Sequence, residues 1–157
     1  MRLMDRALIV AGPPCSLNIW LSSSVRKRSF QNPSGDQENQ KVRLSNLIAS
    51  NMACLLTILR TSGKQFYFVI EQPSSSWLWQ LNFMITLLTA VGASTVTTWQ
   101  AFFGHDMLKP TQLRGTLPNL VKMRRVMTKE ARAKYTARFA ECSDFSCRMD
   151  MMDRESE

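Results

Sequence analysis

The chain is poor in the residues on which most small sites are built: one histidine, two tyrosines and six glycines in 157 residues. A single histidine, His105, excludes a His-based metal centre or a Ser–His triad made by this chain alone. It reads as a turn residue. The cysteines Cys15, Cys54, Cys142 and Cys147 have no framework spacing, and no second Cys or His pair accompanies Cys142 and Cys147. That excludes a secreted disulfide scaffold and a zinc site. Long apolar runs are missing too. Ala7 to Ala11 is too short for a signal-peptide core. Trp77 to Ala93 is broken by Gln80, Asn82 and Gly92 and falls short of the ~20 residues of a membrane span. The reading is a soluble intracellular protein, nuclear if eukaryotic, with no membrane partner.

Acid is also scarce. Lys and Arg total 20 against 12 Asp and Glu, a net charge of +8, with a pI near 9.8. The excess is local: Lys109 to Arg138 holds nine basic residues and one acid, Glu130, and the remaining eleven basic and eleven acidic residues cancel. A balance of this kind suits a polyanionic partner. With 45% hydrophobic and 20% charged residues, the chain is globular, of one-domain size, and neither disordered nor collagenous.

Ala7-Leu-Ile-Val-Ala reads as a buried strand stopped by Gly12-Pro13-Pro14. Ser16 to Gln40 is polar and reads as a long functional loop. Leu44, Leu47, Ile48, Met52, Leu55, Leu56 and Leu59 recur at helical steps before Gly63, and this stripe is expected to face the core. Gln65 to Ile70 is a buried strand closed by Pro73. Ser74 to Ser76 offer caps for a second helix with Trp77, Leu78, Leu81, Met84, Ile85 and Leu88 on its core face. Ser94 to Phe103 is a third strand. Lys109 to Arg114 reads as a short edge strand or extended loop. Thr128 to Glu141 reads as an exposed helix with Glu130 four residues before Lys134, and Cys142 to Glu157 as a frayed tail. Alternating strands and helices predict an α/β fold with a parallel sheet and crossover helices.

In such sheets ligands bind beyond the carboxyl ends of the strands. The first strand delivers Gly12-Pro-Pro-Cys15 there, and the second delivers Glu71-Gln-Pro73. A cysteine beside cations is a strong nucleophile, and Arg26, Lys27 and Arg28 lie in the following loop. A carboxyl group on the adjacent strand end can hydrogen-bond a ring nitrogen or pass a proton. The plainer alternatives are a buried small residue at Cys15 and a helix-capping carboxylate at Glu71.

Ala11-Gly-Pro-Pro-Cys-Ser16, its polar loop and a strand ending in Glu71 resemble the catalytic core of DNA cytosine-5 methyltransferases over roughly residues 7 to 120. The resemblance implies a partial Rossmann-like sheet in residues 1–120, followed by a basic helix and tail in 121–157. It implies Cys15 as the thiolate that adds to C6 of a flipped-out cytosine in DNA, and Glu71 as the group contacting the ring near N3 and the exocyclic amine. S-adenosylmethionine is the implied methyl donor. Pro14, Ser16, Arg26, Lys27 and Arg28 are the implied substrate contacts around Cys15. Lys109, Thr111 and Arg114 join them through Lys109-Pro-Thr111 and Gln112-Leu-Arg114, which resemble later family segments.

The departures are specific. Ser16 stands for the usual Gln, Gln72-Pro73 for Asn-Val, and Thr116 for an Arg. No Gly-x-Gly occurs, so the Phe-x-Gly-x-Gly cofactor loop is missing, and the chain reads as the second half of such a domain. The expected function is thus a truncated methyltransferase-like protein, inactive alone. The alternative is a non-catalytic nucleic-acid-binding remnant.

Overall fold

The computed structural model describes residues 4, 6–105 and 108–141. In chain order the regular elements are β1 (Ala7–Ala11), α1 (Ser23–Arg26), α2 (Gln40–Thr61), β2 (Phe66–Pro73), α3 (Asn82–Ala90), β3 (Ser94–Trp99), β4 (Pro110–Gly115) and α4 (Lys129–Glu141). Short 3-10 turns lie between them. The expected tail, Cys142 to Glu157, lies outside the described residues.

The sheet has the order β1-β2-β4-β3. β1 and β2 pair in parallel, from Ala7 opposite Phe66 to Ala11 opposite Ile70, with α2 as the crossover. β4 pairs antiparallel with both β2 and β3. Three strands therefore share one direction and β4 opposes them. This corrects two expectations: the sheet is mixed rather than parallel, and Lys109 to Arg114 supplies an interior strand rather than an edge or a loop. The alternating burial of Thr111, Leu113 and Gly115 is the mark of a strand covered on one face. Ser94 to Phe103 also divides. The strand stops at Trp99, and Gln100–Phe103 winds into a 3-10 turn.

The two faces of the sheet carry separate cores. Phe66, Phe68 and Ile70 meet Ala49, Ala53 and Leu56 of α2, Met84, Leu87 and Leu88 of α3, and Leu78 and Trp79. On the other face Val69, Val96, Leu113 and Leu120 form a smaller cluster. Each large side chain fully buried this way contributes about 1.5–3 kcal/mol. The second expected helix is interrupted. Ser76 caps a 3-10 turn, Trp77–Gln80, and α3 begins only at Asn82 after an extended Leu81.

α2 starts where Asn39 accepts hydrogen bonds from the Lys41 and Val42 amides at 3.0 and 3.3 Å. It ends before Gly63, whose φ of +74° suits a residue without a side chain. Its packing divides the expected stripe: Leu56 is buried and Met52 and Leu59 pack against the core, but the rest turns away. Val42, Ser45, Ala49, Ala53 and Leu56 are buried, while Leu44, Leu47, Ile48, Leu55 and Ile58 are exposed. Small residues let the helix lie close to the sheet, and most of the larger stripe turns outward. By length and composition α2 also passes for a membrane-crossing helix, with a mean hydropathy of 1.5 over its most apolar window. The core helix of a soluble protein can have this length and composition too. Ser16 to Gln40 is likewise more than a loop, since it contains a 3-10 turn at Trp20–Ser22 and α1.

Candidate functional site

Because β1 and β2 run parallel, their carboxyl ends emerge side by side, and the two chemistry-bearing segments leave the sheet together. Gln72 ties them. Fully buried, it donates through Nε2 to the Pro13 carbonyl and accepts at Oε1 from the Ser76 hydroxyl at 3.0 Å. A buried amide must satisfy its polar atoms, and this one does so by holding the Gly12–Cys15 segment against β2. The chain then turns, with the Asn18 amide donating to the Cys15 carbonyl at 2.8 Å.

Glu71 is the centre of the constellation. Its Oε1 accepts from Gln100 Nε2 at 3.1 Å and from Thr111 Oγ1 at 3.2 Å. Lys109 Nζ stands 4.0 Å from the same oxygen and 4.0 Å from Cys15 Sγ. Oε2 lies on the Gly12 side, 3.9 Å from where a Cβ at that residue would stand. The structure thus gathers Cys15, Lys109, Thr111 and Glu71 at one end of the sheet, with Lys109 between the thiol and the carboxylate. Both side chains of the ion pair are partly exposed, so solvent reaches the group. Glu71 does not cap the following helical turn; Ser76 does that.

Gln100 has no counterpart in the sequence reading. Its amide nitrogen donates to the Lys109 carbonyl at 3.0 Å, which closes the β3–β4 connection over Glu71. Its own Oε1 is buried and finds no partner among the described residues. The available signal was position: a polar residue directly after a strand, at the sheet end where the other groups converge.

The remaining expected contacts divide. Pro14 and Ser16 flank Cys15 and are exposed. Arg26 donates to the Ser16 carbonyl. Lys27 pairs with Asp36 at 2.9 Å; that hydrogen bond, followed by one from the Glu38 amide, holds the Asp36 carboxyl below its usual range. Arg28 corrects the expectation of a substrate contact: it is only 4% exposed. It donates to the Pro33 carbonyl and, at 3.0 Å, to Asn46 Oδ1 of α2. Burial, reinforced by neighbouring Arg26, pushes its pKa down to about 10. Arg28 fastens the loop to α2 and is not free to meet a ligand. Arg28→Lys, which lacks the fork to reach both acceptors, is expected to cost about 1–3 kcal/mol. Thermal denaturation checks this, and an unchanged midpoint would contradict the fastening role.

Arg114 also lies elsewhere. In the ladder it stands opposite Ile70 while Leu113 stands opposite Glu71, so alternation sends Arg114 to the other face. There it donates to Gln112 Oε1 at 3.2 and 2.9 Å and stacks 4.5 Å from the centre of a Trp79 ring. Burial lowers its pKa.

No family model, curated protein or solved structure matches the chain. The constellation must therefore be read from its own chemistry.

The described residues do not form a holder for S-adenosylmethionine. Gly12-Pro13-Pro14 offers a single backbone N–H where an anion or carboxylate cradle needs several. The only carboxylate at the end of a described strand, Glu71, already has Gln100, Thr111 and Lys109 on one oxygen. Among the described residues no group of three or more His, Cys, Asp or Glu is placed to hold a metal ion.

Proposed function

We propose that this chain is part of a cytosine-5 methyltransferase-like protein in which Cys15 adds to C6 of a cytosine positioned by Glu71. The observation that supports it is the shared lysine: Nζ of Lys109 stands 4.0 Å from the sulfur and 4.0 Å from the carboxylate. A cation beside a thiol favours the thiolate, which is the attacking form.

In the addition, sulfur forms a bond to C6 and the C5–C6 π pair moves onto C5, with Glu71 hydrogen-bonded at the N3 side of the ring. In the absence of a methyl donor the pair returns and sulfur leaves, so the chain alone performs only reversible addition. S-adenosylmethionine is the donor of this reading, and its holder must come from residues other than those described. The sheet agrees with such an arrangement. β1 is an edge strand with Leu8 and Val10 exposed, a place where further strands of a larger Rossmann-like sheet add. Residues 1–120 would then be the sheet part and 121–157 the basic helix and tail.

The test uses DNA carrying 2-pyrimidinone in place of cytosine, a base that takes up a thiolate at C6 without methyl transfer. A covalent protein–DNA band is expected with the intact chain and with Cys54→Ser, and none with Cys15→Ser. No band from the intact chain, with or without S-adenosylmethionine, would overturn the reading.

A second reading, a nucleic-acid-binding chain without catalysis, is favoured by one observation. Lys122, Arg124, Arg125 and Lys129 are all exposed in the middle of the basic segment Lys109 to Arg138, and Glu130 is the only acid in that segment. Under that reading DNA binding survives Cys15→Ser and the covalent band never forms.

A further inference from the structure

The loop that follows Cys15 carries an aromatic cluster that the chemistry above does not use. Trp20 stacks on Trp77 with centroids 4.9 Å apart and planes 19° from parallel. Phe30 meets Trp77 edge-on at 5.4 Å and Trp20 at 5.8 Å. Trp77 is the buried anchor, whereas Trp20 is 51% and Phe30 66% exposed. Leu21, beside Trp20, is 90% exposed, and Val25 is exposed as well.

The cluster is held rigidly. The Trp77 indole donates to Ser23 Oγ at 2.7 Å and its backbone amide to the Asn18 carbonyl at 2.6 Å. Ile19 bridges to Ser76. A large aromatic fixed in place and left half open to water has already met the ordering cost of binding.

Charge narrows the occupant. From Ser16 to Asp36 the loop holds three cations, Arg26, Lys27 and Arg28, against one carboxylate, Asp36. Arg28 is buried, which leaves Lys27, paired with Asp36, and Arg26, which donates to the Ser16 carbonyl and has no carboxylate partner among the described residues, toward the surface. A planar, apolar face beside cations, on the loop that carries the nucleophile, fits a base on a negatively charged strand. Every base has a π-face to stack, and an exposed aliphatic such as Leu21 serves as a wedge between base steps.

We propose that Trp20 and Phe30 are a stacking platform for an unpaired nucleobase of a nucleic-acid strand, with Leu21 as the adjoining wedge and Arg26 and Lys27 toward the phosphates. The proposal extends the nucleic-acid reading to a named surface, yet it does not depend on reaction at Cys15.

The experiment measures fluorescence anisotropy of a labelled oligothymidylate, which contains no cytosine and so is blind to the thiol chemistry. The intact chain and Cys54→Ser, changed at an exposed cysteine of α2 away from the site, are expected to bind alike, and Trp20→Ala to bind about tenfold more weakly. Trp20→Phe keeps most of the affinity. Trp20→Leu keeps an apolar side chain over Trp77 but offers no ring; it should lose affinity as Trp20→Ala does while melting like the intact chain. Equal affinity of Trp20→Leu and the intact chain would overturn the proposal. So would binding to phosphatidylserine vesicles that depends on Trp20 while the oligonucleotide is ignored, since the occupant would then be a lipid surface. Loss of the covalent band with the platform intact would count against the chemistry at Cys15 alone.

Discussion

Gly115→Ala is expected to leave no cooperatively folded protein. The added Cβ would stand 1.9 Å from the Phe68 carbonyl oxygen, 2.8 Å from its carbon and 2.9 Å from the Val69 Cα. All three are backbone atoms of β2, the central partner of β1 and β4. No side chain can rotate away to make room. β2 and β4 would have to separate, losing the bonds beside the contact, among them the Thr116 amide to the Phe68 carbonyl at 2.9 Å and the Phe68 amide to Thr116 Oγ1 at 3.2 Å. Ordinary overpacking costs about 1–3 kcal/mol, and an overlap with fixed backbone exceeds that. A net stability of about 5–15 kcal/mol leaves little margin. Gly92→Ala is the control. Nothing lies within 4 Å of its Cβ, and only its φ of +61° opposes the change, at about 1–2 kcal/mol. Circular dichroism during heating should show no transition for the first variant and a modestly lowered midpoint for the second. A transition for Gly115→Ala within a few degrees of the parent would mean that β2 and β4 do not approach as described.

Lys109→Met is expected to slow alkylation of Cys15 by iodoacetamide severalfold at neutral pH, because it removes the ammonium that stands 4.0 Å from the sulfur. Exposed Cys54 on α2 is the internal reference, since it stands on a different element and its rate should not move. Lys109→Arg should retain most of the rate. Glu71→Gln provides the opposite sign. It removes the anion that shares Lys109, so Cys15 should react about two- to threefold faster. Mass spectrometry of the separated peptides reads all the rates from one digest. If Lys109→Met and the parent react alike, the lysine does not act on the sulfur, and the central support for a thiolate nucleophile goes with it.

Much of this site was legible because the rule that found it is topological. Two strands ending in Gly12-Pro-Pro-Cys15 and Glu71-Gln-Pro73, joined by one long helix, deliver both ends to one edge if they pair in parallel, and they do. Lys109 and Thr111 were reached through resemblance, and the structure sets both beside Glu71. The role of Gln72 was not reached, although a glutamine ahead of a proline at a strand end must satisfy its amide somewhere once it is buried. Arg28 was misread for a related reason. Three consecutive cations look alike in sequence, and only the positions of the Pro33 carbonyl and Asn46 decide which one turns inward.

The fold was less legible where tertiary pairing overrides local pattern. Lys109 to Arg114 is polar enough for an edge, yet β4 takes an interior place because β2 and β3 both present free ladders to it. In α2 the periodicity was legible and the face only in part: Met52, Leu56 and Leu59 meet the core, whereas Leu44, Leu47, Ile48 and Leu55 do not. Size was taken as the mark of the core, whereas close approach to the sheet selects Ser45, Ala49 and Ala53.

The outward part of that stripe has an outcome for the handling of the molecule. The outward row Leu44, Leu47, Ile48, Leu55 and Ile58 and the basic run from Lys122 to Lys129 answer electrolytes in opposite senses. Sulfate strengthens apolar burial and with it any association made through the α2 row. Rising ionic strength screens the lysines and arginines from any polyanion. Dilute buffer therefore favours the charged surface and concentrated sulfate the oily one, so a single titration of ionic strength separates the associations each surface makes.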